Sequence, residues 1–135
     1  MRKAGIVSQI ENQVHSKFKV FAGELDANKT IGPLAGQITR FVREAKVAAK
    51  SIGVEYIESA GRLIITLGYR DDEPWYPVDV SCVSLGKIDA LGSDFAALEE
   101  AMSQAAQKHS NIICHELYVT DDREFLMIFM TFVSH

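Results

Sequence analysis

Cys114 and His115 stand side by side, a pairing of types that could supply a thiolate nucleophile and its base. In an extended strand, however, consecutive side chains point to opposite faces, so these two cannot form a direct dyad. Cys82, on another apolar strand-like run, could meet His115 across a sheet. No flanking residues supply the accessible, electropositive setting that lowers a thiol pKa. The histidines are His15, His109, His115 and His135, and none has a close i,i+4 or C-x-x-C companion. A metal site needs three or four converging ligands, so none is expected. Carboxylates pair at Asp71-Asp72, Glu99-Glu100 and Asp121-Asp122, two pairs in turn-forming loops and one on a helix exterior. The ligand spacing and glycine of an EF-hand loop are missing. Gly32, Gly36 and Gly53 match neither G-x-G-x-x-G nor a P-loop. No cofactor is expected, and the sequence leans away from an enzyme.

The loop Arg70-Asp71-Asp72-Glu73-Pro74-Trp75-Tyr76-Pro77 is the strongest binding candidate. Trp and Tyr supply large, stiff contact area at interaction hot spots, and flanking prolines hold an extended conformation. The candidate binding residues are Tyr69, Arg70, Trp75, Tyr76 and His115, as a protein-docking loop or a small-molecule site completed at a subunit interface. The structural alternative folds Trp75 back to close one end of the core.

These residues must be held by regular elements. Pro33 suits a first helical turn, and Leu34, Ile38, Phe41, Val42, Ala45, Ala49 and Ile52 recur at three- and four-residue spacing. That pattern predicts a helix over 33–52, capped by Gly53 and basic on its far side through Arg40, Arg43, Lys46 and Lys50. Strands follow at 54–58 and 62–70, joined by Ser59-Ala60-Gly61, and a third runs from Tyr76 to Leu85. Ser93 reads as an N-cap for a helix through Phe95, Leu98, Met102, Ala105, Ala106 and His109. A hairpin closes the chain, Ile112–Thr120 and Glu124–Val133 around Asp121-Asp122-Arg123. Before residue 30, Ile6, Ile10 and Val14 fit a helix face, and Phe18 and Val20 alternate with Lys17 and Lys19 like a strand. Helix followed by hairpin thus occurs twice, an internal echo. The order helix, three strands, helix, two strands over 33–133 is similar to that of type III secretion chaperones at the level of element order.

The 135 residues predict one domain, an N-terminal segment over 1–29 and an α+β core over 30–135, with an antiparallel sheet of five or six strands and two main helices on one face. Apolar residues make up 47% and charged residues 24%, which excludes a disordered chain. A net charge of −4 argues against phosphate-backbone binding, so nucleic acid is not an expected partner. No run reaches the length of a membrane helix, and polar residues interrupt the N-terminus too early for a signal peptide. Two cysteines in apolar runs suit reduced thiols and a cytoplasmic setting.

The segment 125–133 is apolar on both strand faces, so water must be kept from both. With two helices assigned to one face, the other needs residues 4–21 or a second subunit. The sequence therefore predicts a non-enzymatic protein-binding or adaptor module acting as a homo-oligomer. A small-molecule-binding module or small enzyme with an interface site is the alternative.

Overall fold

A computed structural model describes residues 16–25, 31–91 and 95–133. The helix expected around Ile6, Ile10 and Val14 and the N-cap expected at Ser93 lie outside the described residues. The elements run β1 (Lys17–Gly23), α1 (Gly32–Ala45), β2 (Ala48–Ile57), β3 (Arg62–Arg70), β4 (Val78–Lys87), a single turn α2 (Ile88–Leu91), α3 (Ala96–Gln107), β5 (Ile112–Val119) and β6 (Glu124–Phe132).

The first helix is shorter than its apolar spacing suggests. Pro33 sits in the first turn and Leu34, Ile38 and Val42 form the buried stripe, but the helix stops at Ala45. Lys46 takes a left-handed conformation (φ 55°), and its N–H bonds the Val42 carbonyl at 2.9 Å. Ala49 and Ile52, expected on the same helix, are instead buried in β2. The reason is tertiary: β2 makes an antiparallel ladder with β3 from Ala48 opposite Arg70 to Ile57 opposite Arg62, with one irregularity at Lys50. Pairing a whole strand outweighs continuing a helix whose propensity is only a weak preference. Gly53 is therefore no cap. It lies within β2, where a Cβ would come 2.8 Å from Thr66 Oγ1. The strand expected over 62–70 forms as β3, and the two hairpin turns fall where expected, with positive φ at Gly61 and also at Arg123.

The single sheet of five or six strands is corrected. Two antiparallel three-stranded sheets form, ordered β1-β3-β2 and β4-β6-β5. Each half runs strand, helix, hairpin, and in each the last strand lies in the middle, so the internal echo is a repeated topology. It takes in β1, whose Phe21 joins the core, and over 33–133 the expected order of helix, three strands, helix and two strands holds with the single turn α2 added. The sheets meet where β5 runs alongside β2. The Cys114 thiol reaches the Ile52 backbone, Glu116 sits beside Gly53, Val54 and Glu55, and Tyr118 comes near Tyr56. Residue numbers on both strands rise together, so the two run in the same direction.

The helices do not share one face. Phe21, Ile52, Leu63, Ile65 and Leu67 from the first sheet and Val78, Val80, Ile128 and Met130 from the second share one core with Leu34, Ile38 and Val42 of α1. On the far side of the second sheet, α3 contributes Leu98 to a separate cluster with Leu85, Met127 and Phe129. Alternate residues of β6 thus feed two cores. The double burial read from 125–133 is correct for Leu126 through Met130. Its cover comes from this chain: α3 on one side, the first sheet and α1 on the other. No second subunit is required there. Among the described residues, no helix is long and apolar enough to cross a membrane.

Candidate functional site

The end of β3 and its connection to β4 carry four of the five expected binding residues, Tyr69 and Arg70 in the strand and Trp75 and Tyr76 in the loop, and much of the loop is tied down. Lys17 of β1 pairs with Asp71 at 2.6 Å, Lys50 of β2 with Glu73 at 2.6 Å, and Arg70 with Asp72 at 3.2 Å and Glu73 at 3.4 Å. These ion pairs lash the loop to the end of the first sheet. Hydrogen bonding with Asp71 holds the Lys17 ammonium above its ordinary pKa and the Asp71 carboxyl below its own. Tyr69 packs edge-on against Phe41 at 5.3 Å. The Tyr76 hydroxyl donates to the Ala49 carbonyl, and its ring lies 4.5 Å from Phe132. Burial raises the Tyr76 hydroxyl pKa. Trp75 is 37% exposed. Tyr76 therefore splices the first sheet to the second, while Tyr69 packs on α1 and Arg70 anchors its own loop.

His115 is elsewhere. It lies opposite Phe129 on the α3 side of β5, in a small apolar groove with Met102, Ala106, Ile112 and Met127. Cys114 faces the other way, and Cys82 is separated from β5 by the whole of β6. No thiol–imidazole pair is formed by these residues. Burial pushes the Cys114 thiol up to about 11, the opposite of a nucleophile's shift. Among the described residues, no group of three or more His, Cys, Asp or Glu converges as metal ligands.

Two other features stand out. The first is the outer face of the first sheet. Pairing places Phe18, Val20 and Ala22 of β1 beside Gly68, Thr66 and Ile64 of β3, and these beside Ser51, Gly53 and Glu55 of β2. Phe18 is 68% and Val20 59% exposed. Gly68 gives Phe18 its bed: a Cβ there would lie 3.3 Å from the Phe18 ring and 2.4 Å from Ser51 Oγ. Glu55 and Glu116 stand at the margin where β2 meets β5.

The second is a cleft of about 420 Å³ at the hairpin end of the molecule. Tyr56 and Tyr118 form its walls and Leu25 and Leu63 its apolar lining, with Glu24, Asp121 and Asp122 also around it. The tyrosines occupy matching places in the two halves, Tyr56 opposite Leu63 and Tyr118 opposite Leu126. Burial raises the Tyr118 hydroxyl pKa, helped by the charge of Asp121. Asp122 is held by Lys87 at 2.9 Å. Glu24 and Asp121 make no ion pair with another described residue.

Sequence reasoning singled out neither feature as a site. The alternation of Phe18 and Val20 with two lysines marked a strand but not which side the fold would leave open. The echo between the hairpins was the one signal that Tyr56 and Tyr118 are counterparts. Comparison with known proteins finds no matching family model, no matching curated protein and no matching solved structure.

Proposed function

We propose that this chain is a non-enzymatic protein-binding module, and that it docks an amphipathic helix with a basic flank on the outer face of its first sheet. The observation carrying this reading is the exposure of Phe18 and Val20 at 68% and 59%, on a sheet whose counterpart has the same side covered by α3. Large apolar side chains grouped beside small ones mark interaction surfaces. Size selects the partner. Three strands about 4.8 Å apart, with seven paired residues rising about 3.4 Å each, make a face of roughly 350 Å². A stable dimer buries about 800 Å² per partner, whereas one helix about 10 Å wide fits. Glu55 and Glu116 at the margin favour a basic flank. A cytoplasmic setting belongs to the reading and is supported by two cysteines that form no disulfide. The homo-oligomer expected from the sequence would use this same face, with a second copy in place of the helix.

A labelled helical peptide of Leu and Lys, with leucines at i, i+3 and i+4, tests the reading by fluorescence anisotropy. Binding is expected to be lost in Val20→Asp and weakened in Glu55→Lys, with far-UV circular dichroism unchanged. Equal binding by wild type and Val20→Asp overturns it. So does strong solvent protection of Phe18 in the monomer, which assigns the face to the chain itself. Concentration-dependent sedimentation abolished by Val20→Asp assigns it to a second copy.

A further inference from the structure

The cleft at the hairpin end is independent of that docking face. Its walls come from equivalent strands, β2 and β5, which lie side by side and bring Tyr56 and Tyr118 into one cavity. Concave, aromatic-lined spaces between repeated units are where small ligands bind, and about 420 Å³ is in the range of such sites. The two rings and the leucines accept an apolar body. The sign of the ligand follows from what surrounds them: the charged residues lining the cavity, among the described residues, are all carboxylates. Among the described residues nearby, Arg62 donates to the Ala22 carbonyl at 3.2 Å, Arg123 pairs with Asp89 at 3.2 Å, and Lys87 pairs with Asp122 alone of the lining carboxylates. The turn carboxylates alone would be ordinary solvated groups. The aromatic cavity beneath them is what makes a place for a ligand, since a cation there meets ring faces as well as negative charge.

We infer that this cleft binds an organic ammonium group carried on an apolar body, with Tyr56 and Tyr118 flanking the body and Glu24 and Asp121 facing the charge. The same chemistry is offered by a free small amine and by a lysine side chain of another protein. The probes are phenethylamine, its neutral isostere 2-phenylethanol, and Nα-acetyl-lysine amide, titrated to about 10 mM into the ¹⁵N-labelled full-length protein.

Phenethylamine is expected to shift the amides around Tyr56–Leu63 and Tyr118–Arg123 saturably. 2-Phenylethanol should bind about tenfold more weakly or worse, and the double variant Glu24→Gln/Asp121→Asn should lose about tenfold. Tyr56→Ala, at a side chain already 42% exposed, should weaken binding while leaving the spectrum folded. Tighter binding of phenethylamine than of the lysine amide supports a free amine as ligand, and the reverse supports a lysine side chain. The inference fails if no saturable shift occurs, if the alcohol binds as well as the amine, or if the carboxylate double variant binds unchanged. A failure here leaves the outer face of the first sheet untouched, because the two sites share no residue.

Discussion

The two sheets have the same strand order and a different relation to water. In the second, β6 is central and both of its faces are packed, Ile128 and Met130 inward and Met127 and Phe129 against α3. In the first, β3 is central and packs only inward through Leu63, Ile65 and Leu67, while its outer row is Ile64, Thr66 and Gly68. The helix following the first strand of each half accounts for the difference: α1 goes between the sheets, and α3 goes outside. One topology thus yields a sheet given over to stability and a sheet with one side left for contact.

The largest effect expected from this contrast is at Phe129. Replacing this buried ring by alanine should lower stability by about 3–5 kcal/mol in urea denaturation, by loss of burial and the cavity left behind. A loss under 1 kcal/mol would mean that α3 does not seal that face. Next is Gly23→Ala, where β1 meets α1: the new methyl would come 2.8–3.1 Å from the buried Leu34 side chain. Overpacking there should cost about 1–3 kcal/mol. Phe18→Asp, on the other side of the same strand, should change stability by no more than about 0.5 kcal/mol. Equal costs for the Gly23 and Phe18 variants would erase the distinction between the two sides of the first sheet.

The smallest effect concerns the ion pairs lashing the β3–β4 loop. Asp71 has a depressed pKa in the folded chain, so its contribution is present above the ordinary carboxylate range and is lost as pH falls through the folded value. Lys17 and Lys50 have raised values, so theirs persist through neutral pH and are lost only as pH rises through the folded pKa. Stability should therefore show no step from this loop between pH 5 and 9. Amide shifts of residues 71–73 should move at acid pH and, more weakly, at strongly alkaline pH. A step near neutrality in both readouts would show that the lashing has another origin.

Much of this architecture was legible in the sequence. Alternation gave β3 to the residue, and the Asp-Asp-Arg cluster gave the last hairpin, because strand period and turn chemistry are local. The double burial of 125–133 was legible too, because only a fully covered strand tolerates an unbroken apolar run. The end of α1 was not, since Ala49 and Ile52 continue a helical spacing that an inward-facing strand position uses equally well. The candidate site was less legible still. Tyr69, Arg70, Trp75 and Tyr76 attract attention by type, yet Tyr69 packs on α1, Arg70 anchors its own loop, Tyr76 joins the sheets, and His115 faces a different part of the molecule. Tyr56 and Tyr118 lie 62 positions apart, and nothing local says that they meet.

By itself the sequence determined which segments become strands and helices in most places, and that one strand must be hidden on both sides, because those properties follow from side-chain period and water avoidance along a single stretch. Only the tertiary structure decided how many sheets form, which side of each sheet a helix covers, and which residues from the two halves share a cavity. Those choices compare the burial of whole faces against one another, a sum over residues far apart in the chain that no local pattern records.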